Sequence, residues 1–248
     1  RKFMDNIIVE TGTALYPIYF TDDFSGLAEA AEKCGYKGRK LCVISDGNVA
    51  PIYVKTVTNE LSKVFSDVKV CVFDAGEKSK NLDTIRKFYD FLLENKFDRK
   101  SVIAALGGGV AGDMAGFAAA TFMRGIDFIQ IPTSLLAQVD SSVGGKVGVD
   151  YGVYKNVVGA FYQPQFVYIN TATMDTLPER EFSAGMAEVI KYGIIQSGEF
   201  YNYISENREK IKALDKDALK YIIRACCDMK ACVVGRDEHD TGEREVLN

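Results

Sequence analysis

Short apolar runs bounded by turn residues recur along the first two thirds of the chain. Residues 16–20, 40–45, 68–73, 101–106 and 128–131 each read as a strand, and runs this continuous fit strands buried on both faces. A further apolar run covers 166–170. Helical patterns lie between the strands. In 81–95 the apolar residues Leu82, Ile85, Phe88, Tyr89, Leu92 and Leu93 recur at helical spacing, and Asn81 is placed to cap that helix. Strands separated by helices predict a parallel sheet.

From Thr173 onward only helical patterns remain. Pro178 and Glu179 begin one that runs through Met186, Val189, Ile190 and Ile194. Another spans 217–234, with Leu219, Ile222, Ile223, Cys226 and Val233 on one face. The fold class expected is therefore α/β: an N-terminal parallel-sheet nucleotide-binding domain at 1–170, then an all-α C-terminal domain at 171–248. The helical part is short for a self-sufficient domain, and residues 244–248 carry no helix-stop signal. The expectation is an incomplete second domain, in a piece of a longer protein.

The candidate chemistry crowds into 107–163. Gly107, Gly108, Gly109 and Gly112 form a turn between an apolar run and a helix-like run and match Gly-x-Gly-x-x-Gly. A lone match of this kind is weak, and here it follows a late strand rather than the first. Its physics still suits a pyrophosphate, because glycines admit close backbone approach and the next helix offers free N–H groups. Asp46 and Asn48 lie just past a strand end, where open sheets bind ligands; an ordinary Asx turn is the alternative. Glu77, Lys78 and Lys80 read as either a site or a solvated loop. Arg124, Lys146, Lys155 and Asn156 are suited to clamp a phosphate or carboxylate. Glu188 and Lys191, three apart on a helix among apolar neighbours, read as a metal ligand or a structural ion pair.

Composition narrows the classes. Hydrophobic residues make up 47% and charged residues 26% of the 248, the balance of a globular protein. A net charge of −4 disfavours a nucleic-acid partner. The six cysteines include no Cys-x-x-Cys pair and read as reduced thiols of a cytoplasmic protein. No apolar span is long enough to cross a bilayer, and Arg1 to Asp5 show no apolar signal core. The single histidine, His239, lies in a polar run and does not suggest a hydrolase triad.

Taken in order, the segments 46–49, 76–80, 107–113, 132–134, 140–146, 155–164 and 186–193, with Lys230 and 236–238, resemble the 3-dehydroquinate synthase family. Segments 140–146 and 155–164 carry most of that specificity. The glycine element alone is shared with glycerol dehydrogenases and iron-dependent alcohol dehydrogenases. The resemblance implies NAD and a divalent metal, zinc or cobalt, as cofactors. It implies a small phosphorylated keto sugar acid, 3-deoxy-D-arabino-heptulosonate 7-phosphate, as substrate, converted to 3-dehydroquinate with loss of phosphate. Transient oxidation by NAD, elimination of phosphate and return of the hydride would leave the cofactor unconsumed. A homodimer is expected, with no membrane and no nucleic-acid partner.

The resemblance also implies residue roles. The nucleotide pocket would comprise Asp46, Asn48, Gly76, Glu77, Lys78, Lys80, Gly108, Gly109, Val110, Ala111, Gly112, Asp113, Thr133, Ser134, Thr173, Met174, Asp175 and Thr176. Lys146 and Lys155 would border both ligands. Substrate contacts would come from Lys146, Asn156, Arg124, Asp140, Lys191, Lys230, Arg244 and Asn248, and Glu188 would be the acidic metal ligand. The sequence departs from the family in two places. Asp150-Tyr151 replaces a common Asn-His, in a region that tolerates variation. The two histidine metal ligands lie beyond residue 248, and His239 matches neither. Another sugar-phosphate cyclase, a metal-dependent polyol dehydrogenase, or an inactive nucleotide-binding fragment remain alternatives.

Overall fold

The computed structural model describes residues 5–247; Asn248 and residues 1–4 of the N-terminal segment lie outside it. Among the described residues, nine strands and eight α-helices follow one another, with short 3-10 and π turns between them. The strands are β1 (Asp5–Glu10), β2 (Leu15–Thr21), β3 (Lys40–Asp46), β4 (Asp67–Phe73), β5 (Val102–Gly107), β6 (Asp127–Pro132), β7 (Lys146–Tyr151), β8 (Tyr154–Phe161) and β9 (Val167–Asn170). The helices are α1 (Leu27–Lys33), α2 (Ala50–Leu61), α3 (Leu82–Glu94), α4 (Gly109–Thr121), α5 (Glu179–Gln196), α6 (Gly198–Glu206), α7 (Arg208–Lys212) and α8 (Lys216–Arg236).

Seven strands form one sheet in the order β1-β2-β9-β6-β5-β3-β4. All neighbours run parallel except β1 and β2. The continuous apolar runs sit where burial is two-sided: β5 and β9 are buried along their whole length. β4 forms the far edge and alternates, as one-sided burial requires. The antiparallel exception, β1, was not anticipated from sequence. Ile7 and Val9 are its only buried residues, and they join the core of α5 and α8.

Two features position the site. First, β3 connects outward to β4, while β5 connects the other way to β6. The strand order therefore reverses between the parallel neighbours β3 and β5, which opens a crevice at their carboxyl ends. Second, β7 and β8 form a separate antiparallel hairpin that lies over α4. Helix α4 thus has the sheet on one side and the hairpin on another, and it is apolar nearly all round. Small residues make the contact close: a Cβ at Gly116 would stand 2.4 Å from a Val147 methyl. The hairpin's free edge continues into the loops that meet α8.

After Asn170 every element is helical. Asn81 caps α3 by accepting the Thr84 N–H at 3.0 Å, as its position predicts. α8 runs as the periodicity requires, capped by Asp215, whereas α5 buries Gly185, Val189, Tyr192 and Gly193 and leaves the predicted Ile190 and Ile194 exposed. Cys42, Cys71, Cys226 and Cys227 are buried free thiols, Cys34 is half-buried and Cys232 is exposed. Among the described residues, no helix is long and apolar enough to cross a membrane.

Candidate active site

The carboxyl ends of β3, β4, β5, β6 and β9 carry the predicted nucleotide segments on one edge of the sheet. At the crevice, Asp46 uses Oδ1 to accept the N–H groups of Asn48 (2.8 Å) and Val49 (3.1 Å). That is the Asx turn the sequence allowed. Its Oδ2 faces β5 instead, 3.3 Å from where a Cβ at Gly107 would stand. Gly108 precedes α4 without a side-chain cap, so the first N–H groups of that helix point into the crevice. Hydroxyls face the same glycines. A Cβ at Gly108 would lie 3.4 Å from Ser134 Oγ, and one at Gly109 3.0 Å from Ser141 Oγ. Thr133 is buried beside them, its N–H bonded to the Gly107 carbonyl at 2.9 Å. Donor N–H groups, hydroxyls and no side chain on the floor make a cradle suited to a pyrophosphate. Ala111 and Gly112 face inward: a Cβ at Gly112 would meet Gln130 at 2.8 Å, so these two serve helix-on-sheet packing.

Lys80 links this crevice to the hairpin. Its side chain is only 6% exposed, and Nζ donates to Asp113 Oδ2 at 2.6 Å and to Asn156 Oδ1 at 2.5 Å. Burial pushes the Asp113 carboxyl up to about 6, with the Lys80 charge and hydrogen bond pulling partly back. A carboxyl raised in the folded state stabilises below its unfolded value near 3.8, and that contribution is lost as pH rises through about 6. We expect the parent to lose about 2 kcal/mol relative to Asp113→Asn between pH 4 and pH 6 in urea-unfolding titrations. Equal pH profiles would contradict that environment. By contrast, Gly76, Glu77 and Lys78 are exposed, and Lys155 meets Glu77 at 3.3 Å in solvent.

A cavity of about 560 Å³ opens between α4, the hairpin and α8. Asp113, Asp140, Lys146, Asn156, Lys230 and Arg244 line it together, with Ser141 and Phe161. Lys146 and Asn156 therefore share one hollow. Arg244 is 2% exposed and spends its N–H groups on the carbonyls of Glu238 (2.7 Å) and Gly144 (3.1 Å). Among the described residues it forms no ion pair, so its positive charge is available to an anion. Lys146 is paired with Asp240, from the loop after α8. That partner was not foreseen in sequence.

On the helical side a π turn, Ala137–Ser141, swings Asp140 toward α8. Lys230 Nζ donates to its Oδ1 and to its carbonyl, both at 2.6 Å, and Tyr192 OH donates to Oδ1 at 3.1 Å. Burial alone would raise the Asp140 carboxyl; the Lys230 charge and hydrogen bond, with Tyr192, outweigh it and hold it below the usual range. Gln138 ties the turn to the ends of β6 and β9 through Pro132 O and Asn170 O. Neither Tyr192 nor Gln138 has a sequence signal beyond an apolar neighbourhood.

Some predicted residues lie elsewhere. Arg124 sits exposed on a 3-10 turn beyond the carboxyl end of α4 and does not line the cavity. The reason is geometric: Gly109 and Arg124 stand at opposite ends of a 13-residue helix, about 20 Å long. Thr173 is buried and bonded to Asn170 O and Gln138, and Met174 belongs to the core under α5. Asp175 and Thr176 are exposed, with Thr176 bonded to Tyr53 of α2. Lys191 pairs with Glu188 at 2.6 Å and reaches the Leu247 carbonyl. Among the described residues no three His, Cys, Asp or Glu side chains stand close enough to hold a metal. Glu188 supplies one carboxylate, already paired with a lysine, so the residues present do not make a metal centre.

Two family models meet end to end on this chain: 3-dehydroquinate synthase N-terminal over residues 70–184 and 3-dehydroquinate synthase C-terminal over 185–248. The chain belongs to the 3-dehydroquinate synthase family. It is 51% identical over 233 residues to a 3-dehydroquinate synthase of Acetivibrio thermocellus, covering 94% of this chain and 64% of that protein. It is 47% identical over 245 residues to one of Desulforamulus reducens, covering 99% and 68%. The chain thus spans about two thirds of the length of these relatives. Among solved structures, a 2-deoxy-scyllo-inosose synthase complexed with carbaglucose-6-phosphate, NAD+ and Co2+ superposes with a TM-score of 0.85. That match is at 25% identity and covers 98% of this chain and 66% of the other.

Proposed function

We propose that this chain carries the nucleotide pocket and the substrate-anion pocket of a 3-dehydroquinate synthase. The enzyme would convert 3-deoxy-D-arabino-heptulosonate 7-phosphate to 3-dehydroquinate with release of phosphate. The observation that supports this reading best is the shared hollow of Lys146, Asn156, Lys230 and Arg244, which adjoins Ser141 and the glycine cradle. The family relatives bear the same name. The division into a sheet domain at 1–170 and a helical domain at 171–248 belongs to this reading, as do a cytoplasmic setting and a homodimer.

NAD fits the residues present. The N–H groups at the start of α4, with Ser134 and Ser141, would take its pyrophosphate, and Asp46 Oδ2 would take a ribose hydroxyl. When bound it supplies a reversible hydride acceptor. The chain's own residues do the rest of what can be assigned. Lys146 and Arg244 place positive charge where phosphate leaves, and Asn156 adds a neutral donor. Asp140, kept ionised by Lys230 and Tyr192, accepts a hydrogen bond from a substrate hydroxyl. Val147, Val157 and Phe161 supply an apolar wall to the same hollow.

A divalent metal belongs to the family reading, but no step is assigned to one on a single paired carboxylate. The 248-residue chain, dialysed against zinc and then buffer, should retain far less than one equivalent by elemental analysis and show no turnover. One equivalent with full turnover would contradict this. The function itself is tested by phosphate release from the keto sugar acid, using the protein at the full length of its relatives, with and without chelator. NAD-dependent, chelator-sensitive release without accumulation of NADH is expected. Net NADH production from a polyol would favour a dehydrogenase instead.

A further inference from the structure

The β7–β8 hairpin is irregular at one place, and the irregularity has Asn156 at its apex. Val149 pairs with Val158 and Tyr151 with Tyr154. Asp150 alone therefore stands opposite three residues, Lys155, Asn156 and Val157. Such bulges re-aim a side chain out of the regular pleat. Asn156 adopts φ +57°, a left-handed conformation that is uncommon for residues with a side chain and that Asn takes more readily than most.

The holding contacts converge on Asp150. Its Oδ1 accepts the Asn156 N–H at 2.8 Å, which closes the bulge. Its own N–H donates to the Lys80 carbonyl at 2.9 Å, which anchors β7 to the loop after β4. Lys80 then returns through its side chain, donating from Nζ to Asn156 Oδ1 at 2.5 Å. The result is a ring of three hydrogen bonds through Lys80, Asp150 and Asn156. The ring also fixes the Asn156 amide. An ammonium can only donate, so the atom facing Lys80 is the amide oxygen. The amide nitrogen, a donor, is then left for the cavity that Asn156 lines.

We propose that Asp150 is a positioning residue: it holds Asn156 in the left-handed bulge that presents its amide N–H to an anion in the cavity. The proposal rests on the reading of that cavity as a phosphate site. It predicts a division between the two ligands, because Asp150 touches neither the glycine cradle nor Asp46.

The test uses Asp150→Ala, which removes the acceptor, and Asp150→Asn, which keeps a side-chain carbonyl in its place. Titration calorimetry with inorganic phosphate and with NAD+ reads binding, and NMR hydrogen exchange of the Asn156 amide reads the bulge without any ligand. Asp150→Ala should weaken phosphate binding and speed Asn156 exchange, each about tenfold, the cost of an unsupported left-handed residue. NAD+ binding should stay within about twofold, and Asp150→Asn should restore both losses, as expected if one hydrogen bond is what matters. Phosphate binding unchanged in Asp150→Ala, or Asp150→Asn as damaged as Asp150→Ala, would overturn the proposal. Should the parent bind no phosphate, the phosphate reading falls, and exchange alone decides. Faster exchange in the alanine variant, restored in the asparagine variant, supports the positioning role; unchanged exchange rejects it.

Discussion

Lys80→Ala should destabilise the fold near neutral pH by about 2 kcal/mol, because it removes the ammonium that offsets the burial of the Asp113 carboxyl and breaks two buried hydrogen bonds. The Lys80 side chain is 6% exposed and that of Asp113 18%. Without the ammonium, burial is the dominant influence left on Asp113, and its carboxyl rises further. The variant loses a second contact as well, the hydrogen bond that orients the Asn156 amide. Phosphate binding should therefore fall together with stability. Adding Asp113→Asn to Lys80→Ala removes the buried carboxyl and should recover a good part of the lost stability in urea unfolding. It should not recover phosphate binding, because Asn156 still lacks its partner. A Lys80→Ala variant as stable as the parent would mean that the pair is better solvated than the structure indicates.

Arg244→Ala should weaken inorganic phosphate binding by about 100-fold, or about 2.7 kcal/mol. The guanidinium is buried against two carbonyls, and among the described residues it forms no ion pair. Its removal leaves the Gly144 and Glu238 carbonyls without their donor and takes a positive charge from the cavity wall. Arg244→Lys should recover only part of the affinity. A compact ammonium lacks the planar fork that serves two carbonyls and an anion at once. NAD+ binding should change little in both variants, since the hydrogen bonds of Arg244 go to Glu238 and Gly144 and none to the glycine cradle. Parent-like phosphate affinity in Arg244→Ala would remove this residue from the site.

The legible parts of the sequence were those whose local pattern agreed with their surroundings. β3, β5, β6 and β9 are continuous apolar runs because both faces of the sheet are covered. The Asn81 cap and the face of α8 follow local rules that tertiary contacts did not override, whereas α5 leaves Ile190 and Ile194 exposed. The β7–β8 hairpin was not legible. No strand is read from 146–161, where Gly148, Gly152 and Gly159 interrupt the apolar positions, and strand pairing emerges only when Val147 and Val149 pack on α4. β1 shows two buried residues in six, and these pack against α8, more than 200 residues away in sequence.

The same division applies to the site. Glycines, lysines and hydroxyls announced an anion pocket by type and proximity. Their supports did not, because Asp150, Tyr192, Gln138 and Asp240 act through folded contacts on residues distant in sequence. Asp150 is the instructive case. As one half of a departure from the family pattern it read as tolerated variation, yet its carboxylate closes the bulge that carries Asn156. Arg124 is the reverse case, a plausible clamp by charge that the length of α4 carries away from the cavity in this chain.

The central claim is that a dinucleotide and an acidic sugar phosphate occupy adjoining pockets joined at Ser141. A crystal structure of the chain grown with NAD+ and inorganic phosphate tests it most directly. The pyrophosphate should lie against the backbone N–H groups of Gly108 and Gly109, with phosphate held by Lys146, Asn156 and Arg244. NAD+ seated away from the β3–β5 crevice, or phosphate absent from that hollow at saturating concentration, would contradict the account.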